Sequence, residues 1–121
     1  MVRLISFKDS YTHSKPLFYS LNILDNYSQH KHQICIFIHD LLHNRSPRSF
    51  NDDFSFVHHS YQTRSVAKSN ISVPRKMHTL CKFSLNYRGA KKRNETPLTI
   101  RNIRDRNGFK AALRKHLIAK Q

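Results

Sequence analysis

One run of apolar residues constrains this chain more than any other feature. Ile34, Phe37, Ile38, Leu41 and Leu42 stand at positions i, i+3, i+4, i+7 and i+8, which aligns them on one side of an α-helix. The spacing predicts a helix over residues 27–43 that ends before Asn44 and Pro47. Such a stripe must be core, and Phe50, Phe54 and Phe56 follow as a short turn or helix that caps it. Upstream, residues 2–7 form a short apolar segment consistent with a helix end or an entering strand. A further helix has Ser14 or Lys15 at its cap and Pro16 in the first turn, where its missing N–H costs nothing. Leu17, Phe18, Leu21 and Leu24 continue it at near-helical spacing.

The second half reads differently. From His58 to Lys76 the pattern fades into Ser, Asn, Arg and Lys, with Pro74, which predicts a loop or extended arm. Cys81, Phe83, Leu85 and Tyr87 alternate with polar residues, the period of a strand. Pro97-Leu98-Thr99-Ile100 marks a short helix. A last helix over residues 107–120 places Phe109, Ala112, Leu113, His116 and Leu117 on one face, with Asn107 as N-cap. The fold class expected is therefore mainly α: a small helical domain with an irregular or partly extended basic arm. It divides into a helical packing region (1–57), a basic loop or arm (58–80) and a basic C-terminal region ending in an amphipathic helix (81–121). Only 38% of residues are apolar, Trp is absent and mean hydropathy is -0.66, so burial contributes modest stability.

Charge separates the halves. The chain carries 22 Lys and Arg against 7 Asp and Glu, a net +15. Residues 1–60 contribute a net +1 and residues 61–121 a net +14. A cation this dense repels itself unless a polyanion neutralises it, so the second half is expected to meet an anion while the first packs. No apolar run approaches the ~20 residues that span a bilayer. No signal peptide is evident, because Lys8, Asp9 and His13 interrupt the first apolar cluster. Cys35 and Cys81 read as reduced intracellular thiols, and the protein is expected in nucleus or cytoplasm.

Candidate chemistry is sparse. Phe50-Asn51-Asp52-Asp53 superficially matches a polymerase aromatic-x-Asp-Asp, but its flanks Arg48, Ser49 and Ser55 are not those of a hydrophobic hairpin. It reads as a polar turn, with no catalysis. His39 and His43 stand one helical turn apart, as zinc ligands do in some proteases, with Cys35 a turn before them. The Glu base is missing and no third-ligand pattern follows, so the pair reads as a solvated helix flank and no metal is expected. His13, His58 and His59 read as surface loop residues. The functional weight falls on Arg64, Lys68, Arg75, Lys76, Lys82, Arg88, Lys91, Lys92 and Arg93, interleaved with Tyr61, Phe83 and Tyr87. Cations neutralise phosphates and aromatics stack on unpaired bases. Phe83 is expected to turn into the core instead.

The order of landmarks resembles the extreme C-terminal region of reverse transcriptases from jockey-like and related LINE-type (non-LTR) retrotransposons. The matching residues run nearly end to end: Arg3-Leu4-Ile5-Ser6-Phe7, His13-Ser14-Lys15-Pro16-Leu17-Phe18, Leu21-Asn22-Ile23-Leu24, His59-Ser60-Tyr61-Gln62-Thr63-Arg64, Phe83-Ser84-Leu85-Asn86-Tyr87-Arg88-Gly89, and Phe109-Lys110 with Leu113-Arg114 and Leu117. The resemblance implies a non-catalytic fragment of an RNA-directed DNA polymerase that contacts RNA or cDNA. It implies no cofactor and no small-molecule substrate, and the remainder of the polymerase as a further partner; the polymerase carboxylates would lie upstream of Met1. One departure stands out. The family has Trp-Asn-Ser-Leu-Pro where this chain has Arg93-Asn94-Glu95-Thr96-Pro97, so a core aromatic gives way to a charge directed toward the interior, at about 3–5 kcal/mol of lost packing. That and the start at Met1 imply a truncated, decayed copy or a mis-predicted gene rather than an intact machine. The competing readings are a free-standing basic nucleic-acid-binding protein and, more remotely, a His-dependent metalloenzyme.

Overall fold

The computed structural model describes residues 2–75 and 79–121, with backbone alone at residues 51–53. Among them are seven α-helices: α1 (Val2–Ile5), α2 (Ser14–Ser20), α3 (Asn26–Leu42), α4 (Arg64–Ala67), α5 (Leu85–Glu95), α6 (Leu98–Arg101) and α7 (Arg106–Lys120). Two 3₁₀ turns, Arg48–Asp53 and Thr79–Phe83, complete the set, so the fold is mainly α as expected. Short polar side chains set the starts. Asp25 accepts from the Ser28 amide at 2.7 Å and begins α3, and Asp105 accepts from the Gly108 amide at 2.7 Å and begins α7. Each satisfies an amide that has no partner within the helix. α7 thus starts ahead of Asn107, and His13 rather than Ser14 or Lys15 precedes α2.

α3 is the axis of the molecule and buries more than one face. Ile34, Ile38 and Leu41 pack with Phe54, Ile71 and Ala90, flanked by Phe37, Leu42 and Phe50. On another side, Cys35 and Ile36 pack with Leu24 and with Phe109, Leu113 and Leu117 of α7. Phe37 meets Phe50 edge-on with centroids 5.4 Å apart, so the Phe50 turn closes one end of the first cluster. α5 approaches α3 closely because Gly89 has no side chain. A Cβ there would lie 2.9 Å from Ile38 Cδ1 and 3.2 Å from Phe54 Cε1.

Residues 58–75 are irregular but not free. Thr63 caps the single turn of α4, and the chain then returns through Ser69, whose φ is +50°. Phe56 and Ile71 form an antiparallel bridge, with Val57 N donating to Asn70 O at 2.8 Å and Ser72 N to Ser55 O at 2.7 Å. Ile71 is driven into the α3 cluster and is only 1% exposed. Asn94 of α5 holds it there: Ile71 N donates to Asn94 Oδ1 at 2.9 Å, and Asn94 Nδ2 donates back to Ile71 O at 2.8 Å. A side-chain amide thereby does what a neighbouring strand would do. The alternation over residues 81–87 does not form a strand. Ser84 instead accepts from the Tyr87 amide at 3.3 Å and starts α5, which turns that segment into a 3₁₀ turn followed by a helix.

Candidate nucleic-acid interface

α5 carries opposite duties on its two sides. Gly89, Ala90 and Arg93 share the side facing α3, while Arg88, Lys91, Lys92 and Glu95 stand at i, i+3, i+4 and i+7 on another. Lys82, Tyr87, Arg88, Lys91 and Lys92 line one open groove of about 300 Å³ at the start of this helix, with no carboxylate in its wall. The N-terminal end of a helix carries partial positive charge, which adds to the same field.

Aromatic rings sit beside these cations. Arg88 lies 4.9 Å from the centroid of Phe83 and Lys91 5.9 Å from that of Tyr87. Lys92 lies 4.9 Å over Tyr27 and also donates to its hydroxyl at 2.6 Å. That hydrogen bond, and then the ammonium charge, hold the Tyr27 phenol below its usual pKa. Tyr27 also borders a second groove of about 320 Å³ whose wall includes Lys15, Lys31 and Lys120 together with Asp25. Through Lys92, Tyr27 therefore connects the wall of the second groove to that of the first. Lys31 is partly neutralised by Glu95 at 3.3 Å, one of two ion pairs among the described residues, the other being Arg106 with Asp40 at 3.1 Å.

The structure brings together four of the nine cations singled out in the sequence: Lys82, Arg88, Lys91 and Lys92. Arg64, Lys68 and Arg75 are exposed on the arm and do not line that groove, and Lys76 lies outside the described residues. Arg93 turns the other way. It donates to Ser69 O at 2.8 Å, lies 5.5 Å over Phe56 and is half-buried beside Cys35 and His39 of α3, so its charge is directed inward but keeps a hydrogen-bond partner and a ring face. Phe83, expected inside, is 63% exposed, because the 3₁₀ turn and Ser84 cap rotate it outward. Tyr61 is also exposed and stacks on His59, with centroids 5.7 Å apart. Tyr27, Lys15, Lys31 and Lys120 were missed, since a count by halves hides cations that folding carries to the same side.

The histidines of α3 also differ from expectation. His39 is not a solvated flank: it is buried, stacked between His43 and Phe109 at 4.2 and 4.1 Å. Its Nε2 bonds Ile103 O at 2.8 Å, which makes Nε2 the protonated nitrogen. Burial lowers the pKa of both His39 and His32. Among the described residues no three His, Cys, Asp or Glu side chains converge as metal ligands would, and no helix is long and apolar enough to cross a membrane. No protein-family model, no curated protein and no solved structure matches this chain.

Proposed function

We propose that this chain binds the backbone of RNA or of a DNA copy as the non-catalytic C-terminal segment of a retrotransposon reverse transcriptase. The observation that carries the binding is the groove of Lys82, Tyr87, Arg88, Lys91 and Lys92, whose cations have aromatic faces beside them and no carboxylate among them. Such a surface attracts a strand by phosphate neutralisation and counterion release, and exposed Phe83 and Tyr27 offer faces on which unpaired bases stack. Nothing in it reads base edges, so binding is backbone-directed. The family part of the reading rests on the sequence resemblance. It is supported by Leu4, Ile5, Phe7 and Tyr11, all strongly exposed, an apolar surface of the kind a larger polymerase body covers.

Fluorescence anisotropy with single-stranded RNA, single-stranded DNA and a hybrid at low salt tests the binding. If about 5–8 phosphates are neutralised, log affinity falls against log salt with a slope of about -3.5 to -7. No binding at micromolar protein refutes it. The fragment reading is tested separately by the nucleotide sequence 5′ of the Met1 codon, where a polymerase motif, in frame or frameshifted, is expected.

A further inference from the structure

Arg93 and Arg101 line a cavity of about 40 Å³ with His39, His43, Thr96 and Cys35, between α3 and the segment joining α5 to α6. By volume it holds about three waters, or one group the size of a phosphate. Both guanidiniums are held by adjacent residues of the arm. Arg93 Nη1 donates to Ser69 O at 2.8 Å, and Arg101 Nη1 donates to Asn70 Oδ1 at 3.0 Å. Neither has a carboxylate partner among the described residues, and Arg101 Nε is buried with no hydrogen-bond partner there. A buried donor without an acceptor and two like charges at one cavity are both costly unless an anion meets them. Burial, and then the charge of Arg101, pull Arg93 down to about 10, so it remains a cation at neutral pH.

The rest of the wall is mixed: Leu42 and Phe109 are apolar, and His39 adds a ring nitrogen that the same ligand can satisfy. His39 donates through Nε2, which leaves Nδ1 a buried acceptor with no donor. The hydroxyl of a monohydrogen phosphate supplies the donor that Nδ1 lacks, and its charged oxygens supply acceptors for the two arginines.

We propose that this cavity is a phosphate-binding site, separate from the α5 groove, in which Arg93 and Arg101 clamp one phosphate group. The phosphate is either free or the terminal phosphate of a nucleic-acid strand. The test titrates inorganic phosphate into the whole chain at constant ionic strength, followed by ³¹P NMR and thermal melting, with R101Q, R93Q and the groove triple variant R88Q/K91Q/K92Q alongside. Expected are saturable binding in the millimolar range or tighter and about a tenfold or greater loss in each single variant, with the triple variant unaffected. Circular dichroism confirms that each variant is folded. A 5′-phosphorylated oligonucleotide that binds the triple variant more tightly than its 5′-hydroxyl counterpart, with the difference lost on adding R101Q, identifies a strand end. Equal binding of the two identifies free phosphate. No phosphate dependence beyond a chloride control, or full binding by folded R101Q, overturns the site. Because inorganic phosphate is read without nucleic acid, failure here leaves the groove reading standing, and failure of the groove leaves this one.

Discussion

Gly89 illustrates how one atom sets a helix approach. A Cβ there meets Ile38, which is fully buried, and Phe54, 7% exposed, so the neighbours have little room to yield. Gly89→Val should destabilise by about 1–3 kcal/mol through overpacking, read as a lower urea midpoint with unchanged slope. The buried histidines give the fold a pH dependence. His32 and His39 have pKa values lowered by burial, so between the folded and unfolded values the unfolded chain binds more protons. Stability should be complete above the ordinary value of about 6.5 and decline as pH falls through the lowered folded values. Denaturation midpoints at pH 7.5 and 5 test this: a flat profile, or a rise toward acid, contradicts burial of neutral imidazoles. His39→Phe, which keeps the stack on Phe109, should flatten part of the slope.

At the scale of elements, the arm and α5 define one another. Ile71 lies in a stretch of polar residues with no periodicity, so no pattern in the sequence marks it as core. Its burial comes from Asn94, 23 residues away, presenting an amide to its backbone. Ile71→Ala should cost about 2–5 kcal/mol and open Arg64, Lys68 and Arg75 to trypsin well before global unfolding. Equal cleavage rates in the two proteins at matched fractions unfolded contradict this anchoring. Strand periodicity over residues 81–87 misled for a related reason: alternation has meaning only where a partner strand exists, and a Ser84 cap offered the backbone a helical solution. By contrast, α3 and α7 were legible because their apolar stripes are long and regular, although α7 packs on Cys35 and Ile36 and the α3 stripe itself is covered by Phe54, Ile71 and Ala90. The stripe of Arg88, Lys91 and Lys92 was visible as charge, but its groove was not. Removing all three should reduce the magnitude of the salt slope by about 2–3 with little loss of stability. An unchanged slope places the strand elsewhere.

For the whole molecule, a net +15 with two ion pairs among the described residues means that self-repulsion opposes folding. A polyanion should therefore stabilise it, by about 2.7 kcal/mol at a hundred times Kd for a single-site ligand. A melting temperature insensitive to added RNA would contradict the interface. Both apolar clusters draw on α3; one is completed by Phe54, Ile71 and Ala90, the other by Leu24 and by Phe109, Leu113 and Leu117 of α7, some seventy to eighty residues after Cys35 and Ile36. Closing such distant contacts slows folding relative to bundles of neighbouring helices. The central helix must wait, amphipathic and unshielded, for its partners to arrive. Its thiol at Cys35, 3% exposed in the folded chain, should therefore label readily in nascent or clipped chains and resist labelling once α7 docks.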